Sequence, residues 1–198
     1  MSVASICLLG NPALRTPATE VKIFDQPRKN LYRKMLQIMH KAKGIGIAAQ
    51  QVGWTERVCI IDLGSASRQP DIVGTCIFDG QPTVVADLMP LIVINPVVLN
   101  TSAEKLLSQE GCLSIPGIQA SVERFSRITI RFQDEGGKEH TLECEKLFAI
   151  CLQHETEHLD GTLFIDHLDE AGKVRIQPQL DAIRRRGEQQ KVAPLNLQ

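Results

Sequence analysis

The chain has 198 residues, of which 43% are hydrophobic and 23% charged, and this length and composition fit one globular domain with a stable core. Its formal net charge of −1 gives no reason to expect nucleic acid as a substrate or an anionic membrane as a partner. The longest apolar stretch, residues 89–99, is interrupted by Pro90, Asn95 and Pro96 and is too short to cross a membrane as a helix. We therefore expect neither a membrane protein nor a protein that acts directly on nucleic acid.

The cysteines and the first residues bear on the cellular compartment. Six cysteines are spread along the chain without a CxxC pair, which indicates reduced thiols rather than a disulfide framework. Residues 1–5 lack the basic start and the following apolar run of a secretory signal. These features predict a cytoplasmic protein of bacterial type, and they are also compatible with an organelle.

The first helix is predicted to follow residue 25. Asp25 is a favourable N-cap and Pro27 fits the first helical turn. Gly44 is expected to end this helix. Between these signals, one apolar stripe with helical spacing consists of Leu31, Met35, Ile38, Met39 and Ala42.

The middle of the chain predicts several short strands. Residues 57–62, 91–94 and 127–133 have the composition of strands, and a turn after the last of these leads into a fourth strand at 139–144. Residues 65–90 are polar and contain Gly and Pro, which predicts a long loop or hairpin. Because regular βαβ alternation is missing, we expect an α+β fold with mainly antiparallel sheets packed around a C-terminal helix, and with the N-terminal helix on the outside.

The C-terminal helix carries an HExxH motif. Residues 146–159 contain no Gly or Pro, and Gly161 follows as a typical end of the helix. His154 and His158 are four residues apart, so both imidazoles can face one metal ion. Glu155 lies beside them, where its carboxylate can take a proton from a water held by the metal. The motif predicts a metal-dependent hydrolase.

A catalytic metal site of this kind needs a third protein ligand from elsewhere in the chain. Phe164 stands where a metzincin protease would have its third histidine. Glu170 and Glu188 are downstream carboxylates without a supporting motif. Cys112 is the remaining candidate, since a neighbouring Gly and a following Pro in residues 110–116 predict a shaped loop. From the residues alone, the third ligand cannot be chosen among Cys112, Glu170 and Glu188.

Three motifs follow one another along the chain. They read GxGxAAxQxG at residues 44–53, EGCLSxP at 110–116 and QHExxHLxG at 153–161. In this order they resemble the peptide deformylase family, and the resemblance covers most of the chain. It implies one catalytic domain at residues 1–168, followed by a C-terminal helical or tail extension at residues 169–198.

The resemblance implies an activity and a set of metal ligands. Deformylases are metal-dependent hydrolases that remove the N-terminal formyl group from formylmethionyl nascent polypeptides and release formate. By resemblance, Cys112, His154 and His158 bind the metal and Glu155 is the general base. The expected metal is Fe(II) in the cell, whereas Zn, Ni or Co can occupy the site in preparations.

The resemblance also assigns oxyanion and substrate contacts. The Gln51 side-chain amide and the Leu113 backbone N–H are expected to donate hydrogen bonds to the tetrahedral oxyanion. An apolar slot is expected to take the methionine side chain, next to backbone that pairs with the peptide. The residues implied for these two substrate contacts are Ile45, Gly46, Gly111, Leu147, Ile150 and Cys151.

Three features depart from the family pattern. Glu157 stands where Asp is usual, and we expect it to pair with Arg124 so that activity is retained. Residues 65–90 look expanded relative to compact bacterial members, and we interpret them as a surface excursion rather than a rim of the substrate groove. The extension after Leu168 matches least, and docking on the ribosome near the exit tunnel is implied only by relatives. Basic residues 184–186 are more typical of a solvated helix end, and a docking patch for such an RNA-containing partner is the less common alternative.

Two other functions fit parts of the sequence. An HExxH metallopeptidase would cleave internal peptide bonds and would tolerate replacement of Cys112. A deformylase-like protein retained for metal binding or interaction would not need Glu155 and Gln51 together with the ligands. Release of formate distinguishes the deformylase from both alternatives.

Overall fold

A computed structural model describes residues 6–192 of the chain. The helices in this range are α1 (Gln26–Lys41), α2 (Pro70–Val73), α3 (Lys146–Leu159) and α4 (Glu170–Gln189). The strands are β1 (Gly46–Ala48), β2 (Val58–Ile61), β3 (Cys76–Phe78), β4 (Gln81–Thr83), β5 (Leu91–Thr101), β6 (Lys105–Cys112), β7 (Ile115–Phe125), β8 (Arg127–Gln133) and β9 (Glu139–Glu145). The expectations about residues 1–5 and about the end of the extension, residues 193–198, lie outside the described residues.

The strands form two sheets within residues 6–192. The larger sheet has seven strands in the order β1-β2-β5-β8-β9-β3-β4, and the smaller consists of β6 and β7. Neighbouring strands are antiparallel throughout. The predicted α+β class with mainly antiparallel sheet is confirmed.

Helix α1 forms where its cap and its apolar stripe predict it. The Asp25 carboxylate accepts a hydrogen bond from the Arg28 backbone N–H at 3.0 Å, which satisfies a donor that the first helical turn leaves free. The buried apolar side chains of α1 are Leu31, Tyr32, Met35 and Met39. Tyr32, Met35 and Met39 share a core with Ile47 of β1 and Ile60 of β2, so α1 covers the outer face of this end of the sheet.

Helix α3 lies against the other face of the same sheet. Cys59 and Ile61 of β2 belong to the core that contains α3, whereas Ile60 belongs to the core under α1, because side chains alternate along a strand. The fully buried apolar side chains of α3 are Phe148, Ala149, Leu152 and Leu159. Their burial fixes the rotation of the helix about its axis and therefore the direction in which its histidines point.

The ends of α3 agree with the sequence prediction. The helix spans the predicted residues 146–159. Gly161 follows with φ of +77°, and a Cβ there would lie 2.9 Å from the Arg15 carbonyl oxygen. Glycine is therefore required both by the backbone conformation and by the close approach of a neighbouring segment.

The hairpin of β6 and β7 is the largest element that the sequence prediction missed. We expected a shaped loop at residues 110–116, but residues 110–112 end β6 and residues 115 and 116 begin β7. Along β7, Ile118, Ala120 and Val122 are buried and alternate with exposed polar residues, which is the period of a half-buried strand. The loop interpretation was wrong because the polar residues of β6 concealed its strand character.

Strand β5 is longer than predicted. It continues past residue 94 to Thr101, with register irregularities after Ile94 and after Val98. Asn95 has φ of +52°, and Pro96 follows it. In the sequence these two residues interrupt the apolar stretch that follows the predicted strand 91–94, whereas in the structure they form a bulge within β5.

Residues 65–90 form an addition to the large sheet. Strands β3 and β4 pair as a hairpin, and β3 also pairs with β9, which places the hairpin at the edge remote from β1. The hairpin alternative of the prediction is confirmed. The hairpin of β3 and β4 therefore forms the edge of the large sheet that is farthest from β1 and β2, the strands on which α1 packs.

Helix α4 comes last in the chain among the described elements and packs on the hairpin of β6 and β7. Its buried residues Ile176, Leu180 and Ile183 share a core with residues of β7. Gly187 approaches the N-terminal segment so closely that a Cβ would lie 2.0 Å from the Leu9 carbonyl oxygen. Among residues 6–192, no helix combines the length and apolar character needed to cross a membrane.

Asn95 connects the bulge of β5 to the segment before α1, and its replacement should destabilise the fold. Its Oδ1 accepts a hydrogen bond from the Val21 N–H at 2.9 Å, and its Nδ2 donates to the Val21 carbonyl at 2.8 Å. We predict that Asn95→Ala lowers the free energy of unfolding by about 2–4 kcal/mol, from lost hydrogen bonds and from alanine at positive φ. Asn95→Gly should lose less, since glycine removes only the bonds. Urea unfolding of the three proteins measures both effects, and equal midpoints would contradict the prediction.

Candidate active site

The three sequence-predicted metal ligands meet in one place. Cys112 ends β6, and His154 and His158 lie on α3. One ligand atom from each lies within 4.8 Å of the other two, and the Cys112 Sγ is 3.3 Å from the His158 Nε2. The thiol comes from one sheet and the imidazoles from a helix packed on the other, so the tertiary fold assembles the group.

A buried carboxylate orients the first histidine. The Nδ1–H of His154 donates to Glu110 Oε2 at 2.8 Å, which leaves Nε2 of the same ring available as a ligand. Burial alone would raise the pKa of Glu110, but hydrogen bonds from His154 and Arg124 lower it to about 2. Glu110 therefore remains an acceptor that holds the imidazole in one tautomer and one orientation.

Arg124 connects the Glu110 carboxylate to helix α3. Its Nε donates to Glu110 Oε1 at 2.6 Å and its Nη2 to Glu110 Oε2 at 3.0 Å. Its Nη1 donates to Glu157 Oε1 at 2.5 Å, so the predicted pairing of Glu157 with Arg124 is confirmed. The second oxygen of Glu157 lies 2.9 Å from His167 Nε2. The longer side chain thus bridges a buried cation and a partly exposed histidine.

Glu155 differs from the other carboxylates because it is buried without a cationic side chain. It is 5% exposed, and its Oε2 has no hydrogen-bond partner among the described residues. Burial raises the pKa of Glu155 to about 7. A Cβ at Gly46 would lie 2.3 Å from Glu155 Oε1, so glycine is what allows this carboxyl group its position beside the ligands.

Gln51 presents its amide nitrogen to the site. Its Oε1 accepts from the Ala48 N–H at 2.8 Å, and this bond turns Nε2 towards Cys112 Sγ at 3.4 Å and Ser114 Oγ at 3.2 Å. Ser114 is fully buried and was not among the predicted site residues. The sequence signal for it was its place in the EGCLSxP motif, two residues after the thiol.

Two adjoining cavities surround these groups. The larger, of about 720 Å³, is a groove whose lining includes Gly46, Gln51, Cys112, Leu113 and Glu155. The smaller, of about 110 Å³, has apolar walls formed by the residues predicted for the methionine slot: Ile45, Leu147, Ile150 and Cys151. Both cavities include Gly111 in their lining. The structure therefore brings together every predicted catalytic, metal and substrate residue.

The lining of the small cavity also contains two residues that sequence reasoning missed. Ser108 and Gln109 of β6 lie along it, next to the motif that begins at residue 110. Residues 65–90 line neither of the two cavities. The segment therefore does not rim these two cavities, but it is more than a surface excursion, because its residues Val73, Cys76 and Val85 are buried in the core that contains α3.

The donor set fits a divalent transition metal. A thiolate and two imidazoles suit borderline metals such as zinc or iron, and three protein ligands leave a position for water or substrate. The carboxylate of Glu110 behind His154 is the outer hydrogen-bond acceptor that such sites use. With an unpaired carboxyl group at Glu155 beside the ligands, the arrangement is suited to hydrolysis.

Comparisons with known proteins agree with this geometry. The model of the polypeptide deformylase family matches residues 3–174. The peptide deformylase of Opitutus terrae is 38% identical over 174 residues, covering 87% of this chain and 88% of that protein. The peptide deformylase of Novosphingobium aromaticivorans is 40% identical over 190 residues, covering 93% and 99%.

Solved structures of the same kind superpose on the chain. Peptide deformylase from Plasmodium falciparum is similar with a TM-score of 0.78 and 32% identity, covering 96% of this chain and 100% of that one. A peptide deformylase from Synechococcus elongatus, solved in complex with actinonin, has a TM-score of 0.74 and 34% identity, covering 91% and 85%.

Loss of one ligand should abolish tight metal binding. We predict that Cys112→Ala weakens metal affinity by at least about 100-fold, because a thiolate is removed from a three-ligand site. Cys76→Ala is the matched control, since it removes a thiol whose Sγ bonds to the Thr83 carbonyl away from the ligands. Metal content per chain after anaerobic purification measures the effect. A Cys112→Ala protein that retains one metal per chain would contradict the ligand assignment.

Proposed function

The chain belongs to the polypeptide deformylase family, and we propose which of its residues carry out each part of the reaction. The activity is the metal-dependent removal of the N-terminal formyl group from nascent polypeptides. One observation above all supports the residue assignment. The buried Glu155 carboxyl group, one oxygen of which has no partner in the described part of the chain, lies beside the ligand group of Cys112, His154 and His158 at the floor of a groove.

Cys112, His154 and His158 hold the metal in this proposal. A divalent metal held by these residues would supply the Lewis acidity that activates a water and polarises a carbonyl. We propose Fe(II) as the metal in the cell, because a soft thiolate beside two imidazoles suits it. Oxidation of such a site in air would favour Zn, Ni or Co in preparations.

Glu155 moves the proton. One of its carboxylate oxygens accepts a proton from the water as the water attacks the formyl carbon, and the same group returns the proton to the leaving amine nitrogen. Its burial and the close approach of Gly46 hold it in place without a cationic partner. Formate and a free N-terminal amine are the products.

Gln51 and Leu113 stabilise the oxyanion. The Gln51 Nε2 faces the ligand cysteine, and its direction is set by the bond that Oε1 accepts from Ala48. The Leu113 backbone N–H is the second donor, next to Cys112 on the groove wall. A single donor of this type typically contributes about 10²–10³-fold to the rate.

The small cavity takes the methionine side chain. Its apolar walls and a volume of about 110 Å³ suit one unbranched side chain, and a thioether packs well in such a slot. The backbones of Ile45, Gly46 and Gly111 pair with the extended peptide. The substrate-binding residues in this assignment are Ile45, Gly46, Gly111, Leu147, Ile150 and Cys151.

The C-terminal extension is proposed as the part that meets the ribosome. We place the end of the catalytic domain at residue 168, close to the end of the family match at residue 174. Helix α4 then begins the extension, and Arg185 and Arg186 are exposed on it, as a partner rich in phosphate would require. A cytoplasmic location near the ribosomal exit tunnel agrees with the bacterial origin of the relatives.

The function is tested by direct measurement of formate. Anaerobically purified, iron-loaded protein is incubated with formyl-Met-Ala-Ser, formate is quantified, and the peptide products are identified by mass spectrometry. We expect formate and intact Met-Ala-Ser in equal amounts. Cleavage between internal residues would instead support a metallopeptidase. Absence of both products from metal-loaded protein would support a protein retained for metal binding or interaction.

Glu155 should be separable from the ligands by mutation. We predict that Glu155→Ala retains one metal per chain but loses about 10²–10⁴-fold in kcat, because only proton transfer is removed. Glu170→Gln is the control, since this exposed glutamate pairs only with Lys173 in the described structure and should change neither quantity. Metal analysis and steady-state kinetics on the same preparations provide the test. Loss of metal from Glu155→Ala would show that the role assignment is wrong.

A further inference from the structure

The groove extends beyond the methionine slot and carries one charged side chain on its rim. Its volume of about 720 Å³ exceeds what a single formylated residue fills, so further residues of the peptide lie in it. Apart from the ligand His154 and the floor residue Glu155, Lys43 is the charged residue of its lining. Lys43 is exposed. The lysines that form ion pairs within residues 6–192 are Lys105 and Lys173, so Lys43 is available to a ligand.

The backbone at Lys43 is unusual for a lysine. Its φ is +59°, and it lies just after α1, where its N–H donates to the His40 carbonyl at 3.0 Å and the Gly44 N–H to the Met39 carbonyl at 2.9 Å. Glycine is the usual residue in this left-handed position at a helix end. His40 and Lys41 already place basic groups in the last turn of the helix. A lysine in a strained position therefore calls for another role.

The position of Lys43 along the groove indicates which part of the peptide it meets. Gly46 contacts Glu155 and so marks the reacting end. Lys43 is three residues earlier, which corresponds to at most about 10 Å of extended chain. A peptide whose backbone pairs with Ile45 and Gly46 therefore brings the second or third residue after its formylmethionine beside Lys43.

We propose that Lys43 is a specificity residue that favours formylated peptides with an acidic side chain at the second or third position after the methionine. This inference rests on the proposed function. The ammonium group forms an ion pair with a carboxylate at the open rim, and that pair is partly screened by solvent. An exposed pair of this type gives a preference of about two- to fivefold in kcat/KM.

The preference is measured with matched peptides and iron-loaded protein. Formyl-Met-Ala-Asp-Ser, formyl-Met-Ala-Asn-Ser and formyl-Met-Ala-Lys-Ser are compared as C-terminal amides, so that no terminal carboxylate contributes. A second set carries the variable residue one position later. In at least one set we expect kcat/KM for the Asp peptide to exceed that for the Asn peptide about two- to fivefold, with the Lys peptide lowest. The differences should shrink as salt is raised.

Three variants identify the source of the preference. Lys43→Gly removes the charge and suits the positive φ, so the ratio of Asp to Asn peptide should fall to about one. Lys43→Glu should reverse the order of the peptides. Lys41→Gln removes an exposed charge from the same helix end outside the groove lining and should keep the wild-type ratio.

Results that differ from these expectations overturn the proposal. Equal hydrolysis of the peptides in both sets by the wild type contradicts it, as does a preference that survives Lys43→Gly. Equal losses in Lys43→Gly and Lys41→Gln would assign the effect to overall charge instead of the rim. If none of the peptides yields formate, the proposed function fails and this inference fails with it, whereas formate without a preference overturns this inference alone.

Discussion

The buried ion pair of Arg124 and Glu110 is the interaction on which the site depends. Arg124 lies on β7 and Glu110 on β6, where they form an ion pair. Arg124 also bonds to Glu157 and Glu110 to His154, so the pair links the hairpin to α3. Burying these charges is costly, and such pairs often add little net stability. In this site, the charged pairs fix the positions of the side chains around the candidate ligands. The thiol belongs to the hairpin of β6 and β7 and both imidazoles belong to α3, and this network sets the relative position of hairpin and helix.

The second constraint is the packing of α3 against the large sheet. Because β2 sends alternate side chains to opposite faces, α1 and α3 share the same strands as their support, and neither can rotate without opening a core. The close approach of Gly46 to Glu155 is possible only with α3 in this rotation. Packing of apolar residues therefore places the buried carboxyl group of Glu155, whose Oε2 has no hydrogen-bond partner among residues 6–192.

The sequence predicted the elements whose pattern is local. Helices α1 and α3 and strand β8 have long or uninterrupted patterns, and their bounds were close to those observed. The hairpin of β6 and β7 was missed because the residues of β6 that face the site are polar. Cys112 could not be chosen over Glu170 or Glu188 from the residues alone, since a pairing between distant elements has no local signal. The family resemblance supplied that choice, and the geometry agrees with it.

The departures from the family pattern leave the ligand group unchanged for two different physical reasons. Residues 65–90 add their hairpin at the sheet edge opposite β1, where an extra strand can pair without altering the strands beside the groove. Glu157 lies much closer, yet its Oε1 still meets Arg124, and the extra methylene lets Oε2 reach His167. The added length is thus directed outwards, from the buried network to a partly exposed side chain. A change at the protected end of this network, at Glu110 or Arg124, would instead leave a buried charge without its partner.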